Sequence, residues 1–158
     1  LIFVTTGISW AGFERLVKKM DEIAGVIDEE VIIQIGSTKY TPKNAKYFTF
    51  MDSEQIKEVT NKARLIVCHG GAGTLISALE QGKRIIAIPR LKRYDEAMDD
   101  HQREIVEVLS KAGKIMAVYD IENLKRAINS PFTSSTAKNE KDNSLVIALK
   151  EYINGLAQ

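Results

Sequence analysis

The chain has few of the residues that redox and metal chemistry require. Its 158 residues include one cysteine and two histidines, which excludes an internal disulfide and leaves little for a zinc site. Charge of one sign is lacking as well. The 22 basic and 21 acidic residues leave a formal net charge of +1, so there is no general electrostatic case for nucleic acid or an anionic membrane. No apolar run approaches the ~20 residues that span a bilayer, no secretory leader opens the sequence, and no internal repeat is found. What is present, 44% hydrophobic and 27% charged residues, is the composition of a globular protein. The expectation is a single cytoplasmic domain over 1–158.

Short apolar runs alternate with amphipathic segments. Leu1–Val4, Val31–Gly36, Tyr47–Phe50, Leu65–Cys68, Ile85–Ile88 and Ile115–Val118 read as strands. Between the first two, Phe13, Leu16, Val17, Met20, Ile23, Ala24 and Ile27 keep a helical beat on one face. Ser53 offers an N-cap for a helix to about Ala63. Leu75 to Gln81 reads as a helix stopped by Gly82, Ile105, Val106, Leu109 and Ala112 mark another, and Ile121, Leu124 and Ile128 a short one. Residues 130–144, rich in Ser, Thr, Asn and Lys, read as a loop or linker. A last helix follows, with Leu145, Ala148, Leu149, Tyr152, Ile153 and Leu156 on one face. Strands that are apolar throughout argue for an α/β fold, a Rossmann-like parallel sheet with helices on both faces. In such sheets ligands bind at the carboxyl ends of the strands, which directs attention to Thr5–Gly7, Gly36, His69–Thr74 and Pro89–Arg93.

The stretch Cys68-His69-Gly70-Gly71-Ala72-Gly73-Thr74 carries the most information. A glycine-rich turn between a buried strand and a helix lets backbone amides approach a ligand closely. The following helix presents unpaired N–H groups and the positive end of its dipole, and together these suit a diphosphate. The bland alternative is a tight turn with no ligand. The run is neither a Walker A motif nor a clean G-x-G-x-x-G. Pro89 to Glu96 places Arg90, Lys92 and Arg93 at a strand end, where they face phosphate or simply solvent. His101 and Gln102 sit near a helix start as ligand contacts or as surface capping residues. His69 is a base or a histidine satisfied by backbone. Cys68 reads as a buried, inert thiol.

In order along the chain, Phe3–Gly7, Gln34-Ile35-Gly36, His69–Thr74, Ala78-Leu79, Gly82-Lys83, Ile88-Pro89-Arg90 and Asp99-Asp100-His101-Gln102 resemble glycosyltransferase family 28. The likeness is to its C-terminal, donor-binding half of the GT-B fold. It is strongest to the small stand-alone members, such as the catalytic subunit of the two-protein dolichol-linked N-acetylglucosaminyltransferase and the small partners in bacterial capsule and exopolysaccharide transferase pairs. The resemblance implies that Gly70, Gly71, Ala72, Gly73 and Thr74 cradle the diphosphate of a UDP-sugar, with Thr5, Thr6 and Gly7 as the opposing loop. His69 opens the cradle, Arg90 borders the phosphates, and His101 and Gln102 face the sugar and ribose. Many relatives carry glutamate, which holds the ribose hydroxyls, where this chain has Ser77. Serine accepts only part of that pairing, and Glu80, one turn on, is the candidate substitute.

The implied chemistry is an inverting transfer of a hexose-type sugar to a lipid-linked acceptor. It needs no cofactor and no essential metal, and no Asp-x-Asp pair is present. No general base is evident in the chain, so the resemblance implies a membrane-anchored, acceptor-binding partner that supplies one and draws this subunit to the cytosolic membrane face. Two other classes stay open. One is a nucleotide-sugar-binding regulatory subunit without catalysis. The other is a Rossmann-type dinucleotide enzyme, which needs an acid at the end of the second strand, where Gln34-Ile35-Gly36-Ser37 stands instead.

Overall fold

The computed structural model of the chain describes residues 1–131, 147–151 and 154–155. Strands β1 (Ile2–Thr5), β2 (Val31–Gln34), β3 (Lys46–Phe48), β4 (Leu65–His69), β5 (Arg84–Ile88) and β6 (Met116–Ala117) form one sheet in the order β3-β2-β1-β4-β5-β6. Every neighbouring pair is parallel. Parallel neighbours need crossovers, and helices supply most of them. Helix α1 (Glu14–Ala24) links β1 to β2, α2 (Ser53–Lys62) links β3 to β4, and α3 (Ala72–Glu80) links β4 to β5. Helix α4 (His101–Lys111) links β5 to β6, and α5 (Leu124–Asn129) follows a 3-10 turn at Ile121–Asn123. This is the Rossmann-like architecture that the apolar strands imply.

Alternation along each strand sends side chains into two cores. Ile2, Val4, Leu65, Val67, Ile86 and Ile88 face one side and pack with Leu16, Val17 and Met20 of α1 and Leu124 and Ile128 of α5. Phe3, Ile66, Cys68, Ile85 and Ala87 face the other and meet Leu75 and Ile76 of α3 and Val106 and Leu109 of α4. Each fully buried aliphatic side chain of this kind contributes about 1.5–3 kcal/mol. No helix joins β2 to β3. Their connection is pinned instead by the buried Asp21, whose carboxylate accepts the amides of Lys43, Asn44 and Ala45 and the Tyr40 hydroxyl. Burial opposes the charge on Asp21, but these donors outweigh it and hold the carboxyl below its ordinary range.

Several boundaries differ from the sequence expectation. The N-cap of α2 is Asp52, not Ser53, because Asp52 and Gln55 form a reciprocal capping box that places Ser53 in the first turn. Helix α3 starts at Ala72, three residues early, since the glycine-rich stretch already turns helical after Gly71. Helix α1 stops at Ala24, leaving Ile27 as a flanking residue on the core. Beyond Pro131, residues 132–144 of the expected linker, and Leu145, Tyr152, Ile153 and Leu156 of the last helix, lie outside the described residues. Residues 147–151 are helical, and Leu149 is buried in the core shared with α3 and α4. Among the described residues no helix is long and apolar enough to cross a membrane.

Candidate functional site

The strand order runs in opposite directions from β1 and β4, so the loops leaving these two strands part and open a crevice. A cleft of about 480 Å3 occupies it. Thr5, Gly7 and Gln34 line one side, and His69, Gly71, Gly73, Thr74 and Ser77 the other, with Ile8, Met51 and Ile56 forming an apolar wall. Among the described residues, no acid, lysine or arginine lines it.

His69, at the end of β4, organises the loop. Its Nδ1 accepts the Gly71 amide at 3.0 Å, so the network assigns the proton to Nε2, which donates to Thr74 Oγ1 at 3.2 Å. Gln102 Nε2 also lies 3.3 Å from Nδ1. Burial, and then the charge of Arg90, push the imidazole down to about 4, so it is neutral at physiological pH. The ring is packed too closely to tolerate side chains around it. A Cβ on Gly71 would sit 2.0 Å from His69 Cε1, and one on Gly7, whose φ is +73°, would sit 2.4 Å from Nε2.

Once Gly71 is engaged, the helix behind it is left open. Leu75 donates to the Gly71 carbonyl, the first bond of α3. The amides of Ala72, Gly73 and Thr74 take no acceptor among the described residues, as the geometry of a helix start requires. A Cβ at Gly73 would meet nothing within 4 Å. Gly73 and Thr74, two of the three residues with free donors, line the cleft, and the positive end of a nine-residue helix stands beside it.

The family model described as "Glycosyltransferase family 28 C-terminal domain" matches residues 1–154. The chain belongs to this family. A UDP-N-acetylglucosamine transferase subunit, ALG13, from Homo sapiens is 27% identical over 125 residues, covering 72% of this chain and 10% of that protein. The chain thus spans about a tenth of that relative's length. Among solved structures, a solution structure of ALG13 superposes with a TM-score of 0.59 at 16% identity, over 86% of this chain and 88% of the other. Crystalline MurG from Acinetobacter baumannii gives 0.59 at 17% identity, over 96% and 50%. These two likenesses show a shared fold, the GT-B half expected of a family 28 C-terminal domain.

Within that frame the structure sorts the residues singled out from the sequence. Thr5, Gly7, His69, Gly71, Gly73, Thr74 and Ser77 come together around the cleft. Thr6 lies behind it, its hydroxyl donating to the Gln34 carbonyl. Arg90 departs from the expectation that it borders phosphates. It is 1% exposed, and its Nη atoms donate to the carbonyls of Thr6, Ala11, Gly12 and Glu96. Burial lowers it to about 10, still cationic at neutral pH. Lys92 and Arg93 are exposed and outside the lining. Gln102 also departs from its expected role, because its Oε1 accepts the amides of both Gly70 and Arg90 at 3.1 Å, bracing two strand ends from α4. His101 is exposed beside Asp99 and outside the cleft lining. Glu80 is paired with Lys150, also outside it. Cys68 is buried, and burial raises its thiol to about 12, as befits an inert core residue.

Sequence reasoning missed the apolar wall of Ile8, Met51 and Ile56. Ile56 and Met51 flank the start of α2 and carry no signal that separates a cleft wall from a core face. The end of β2 carries Gln34, whose Oε1 accepts the Thr5 hydroxyl at 2.6 Å. An amide stands where a dinucleotide enzyme needs its ribose-binding acid, which weighs against that class.

Proposed function

We propose that this chain is the donor-binding catalytic subunit of a two-component, inverting glycosyltransferase. It takes a UDP-sugar, and a membrane-anchored partner holds a lipid-linked acceptor at the cytosolic membrane face. The transferred unit is of hexose type: N-acetylglucosamine, or galactose, glucose or glucuronate. The observation that carries this reading is the set of free amides of Ala72, Gly73 and Thr74 opening on the crevice between β1 and β4. Family membership over residues 1–154 supports it, as does the printed description of the relative as a UDP-N-acetylglucosamine transferase subunit.

The chain's part in the reaction follows from the site. The amides and the helix dipole bind the diphosphate and take up the negative charge that grows on the departing UDP. Gly73, without a Cβ, leaves room for phosphate against the backbone. Ser77 offers the ribose one hydroxyl from the cleft wall. The Oγ1 of Thr5 and the ring of His69 are engaged in hydrogen bonds on their own sides of the cleft. His69 cannot serve as the base, since it stays neutral down to about pH 4 and its acceptor nitrogen is already in use. The group that deprotonates the acceptor is therefore assigned to the partner. No metal is assigned to the site.

A second reading, a nucleotide-sugar-binding subunit without catalysis, is favoured by one observation: no carboxylate lines the cleft among the described residues. Co-expression with a membrane-anchored partner separates the two. Sugar transfer from UDP-sugars to a membrane lipid extract, persisting in EDTA and absent from either protein alone, is the expected result. Turnover by the isolated chain overturns the two-component arrangement. UDP binding without turnover in the pair supports the second reading, and no UDP binding overturns both.

A further inference from the structure

A second cleft, of about 470 Å3, lies on the far side of the loop that follows β1. Gly7 and Ile8 of that loop face the first cleft, while Trp10, Ala11 and Gly12 line the second. Its other walls come from the start of α1, from the turn after β2 and from the turn after β5.

Trp10, the single tryptophan of the chain, is 71% exposed there, and its indole N–H takes no acceptor among the described residues. Tyr94 stands across the same cleft, 49% exposed, with its ring held by the Arg15 guanidinium at 4.8 Å. Asp95 and Lys39 also line it, and their side chains have no partner among the described residues. Ser37 donates to the Ser9 carbonyl, so its oxygen keeps acceptor capacity. Beneath the cleft the frame is rigid. Arg15 forms a bidentate pair with Glu96 at 2.9 Å and Arg90 ties both loops through carbonyls.

The lining selects against most ligand classes. Glu14 and Asp95 repel phosphate, Lys39 repels a cation, and Arg15 and Glu96 neutralise each other. No group of three or more metal-ligating side chains is found among the described residues, and an acyl chain would strand these charges without water. What remains is a neutral ligand with one apolar face and a rim of hydroxyls. We propose that this second cleft is a saccharide subsite, with Trp10 as the stacking platform and Asp95, Lys39 and Ser37 as hydroxyl partners. Because the loop at Gly7–Gly12 is the common wall of both clefts, the saccharide held there is the sugar end of the acceptor. That last role rests on the transfer reading above, whereas the subsite itself rests on the cleft.

The test is a pair of titrations of the isotopically labelled chain followed by amide and indole NMR. Cellobiose, lactose and N,N′-diacetylchitobiose are the saccharide probes, and UDP is the nucleotide probe. At least one disaccharide is expected to shift the Trp10 indole and the Asp95 amide while leaving Gly73 in place, and UDP is expected to do the reverse. Trp10→Ala should keep the dispersed spectrum of a folded chain, weaken saccharide binding about tenfold or more, and leave UDP affinity unchanged. Trp10→Phe, which keeps an aromatic face, should recover most of the loss. No shift of the indole by any of the three sugars overturns the subsite, as does saccharide binding that survives in Trp10→Ala. An indole that responds to a partner protein and to no sugar assigns the surface to that protein and overturns it equally. If UDP fails to bind while the indole still reports sugar, the donor reading falls and the subsite stands.

Discussion

Gly71 and Gly73, two and four residues after His69, should respond to the same substitution in opposite ways. Gly73→Val places a side chain where nothing lies within 4 Å, so the fold has no reason to object. Valine is a slightly better helix former than glycine, and stability should move by less than about 0.5 kcal/mol. The isopropyl group would instead occupy the space above the free amides of Ala72, Gly73 and Thr74. A hydrogen bond from an amide to a charged acceptor is worth about 1.5–3 kcal/mol, so displacing two costs about 3–6 kcal/mol, or roughly a hundred-fold to ten-thousand-fold in UDP affinity. Gly71→Val drives its Cβ to 2.0 Å from His69 Cε1. The ring must leave its bonds to the Gly71 amide and Thr74, and the loss should exceed about 2 kcal/mol of folding stability. Calorimetry with UDP reads the first variant and urea denaturation reads both. A folded Gly73→Val that binds UDP as tightly as the parent removes the amide cradle from the site. A Gly71→Val of parental stability refutes the packing around His69.

Stability should depend on pH through His69, whose pKa falls from 6.5 to about 4 on folding. The contribution is full above pH 6.5 and is lost as pH falls towards 4, amounting to about 3 kcal/mol. His69→Gln should flatten the denaturation free energy in that window, and an unchanged slope would mean that the ring is not held neutral. Arg90→Met strands the carbonyls of Thr6, Ala11, Gly12 and Glu96. It should cost about 3–5 kcal/mol in chemical denaturation, with a parental midpoint contradicting its structural role. Ser77→Glu adds a carboxylate to a cleft that lacks one and should tighten UDP binding by about 1–3 kcal/mol if Ser77 faces the ribose. Weaker or equal binding in a folded variant would place the ribose elsewhere.

The central strands β1, β2, β4 and β5 were legible because each holds a short apolar run covered on both faces. Leu65–Val67 or Ile85–Ile88 can hardly be anything but the middle of a covered sheet. The neighbourhood of the cleft was legible from the rule about strand ends together with the glycines. What each polar residue does there was not. Arg90 follows a strand-end proline and looks available for phosphate, yet carbonyls of the loop after β1 and of its own loop after β5 close over it, a largely long-range event that no local pattern records. Gln102 and His101 are adjacent in sequence but sit in different surroundings, one inside against two strand ends and one outside, because a helix start splays consecutive side chains. Asp52 and Ser53 both cap helices well, and only the reciprocal bond with Gln55 decides between them.

The place of β1 in the sheet has a consequence for how the chain comes to be folded during synthesis. This strand, the first of the six in chain order, lies between β2 and β4. Ile2 must wait for Val31 on one edge and for Leu65 on the other. Until β4 has been translated, the inner edge of β1 is an apolar template without a partner, open to adhesion by other nascent chains. Closure then joins distant residues in a parallel register, which is slow. The ribosome therefore releases a half-sheet before it releases a site, and the crevice between β1 and β4 is created only by the event that also buries that edge.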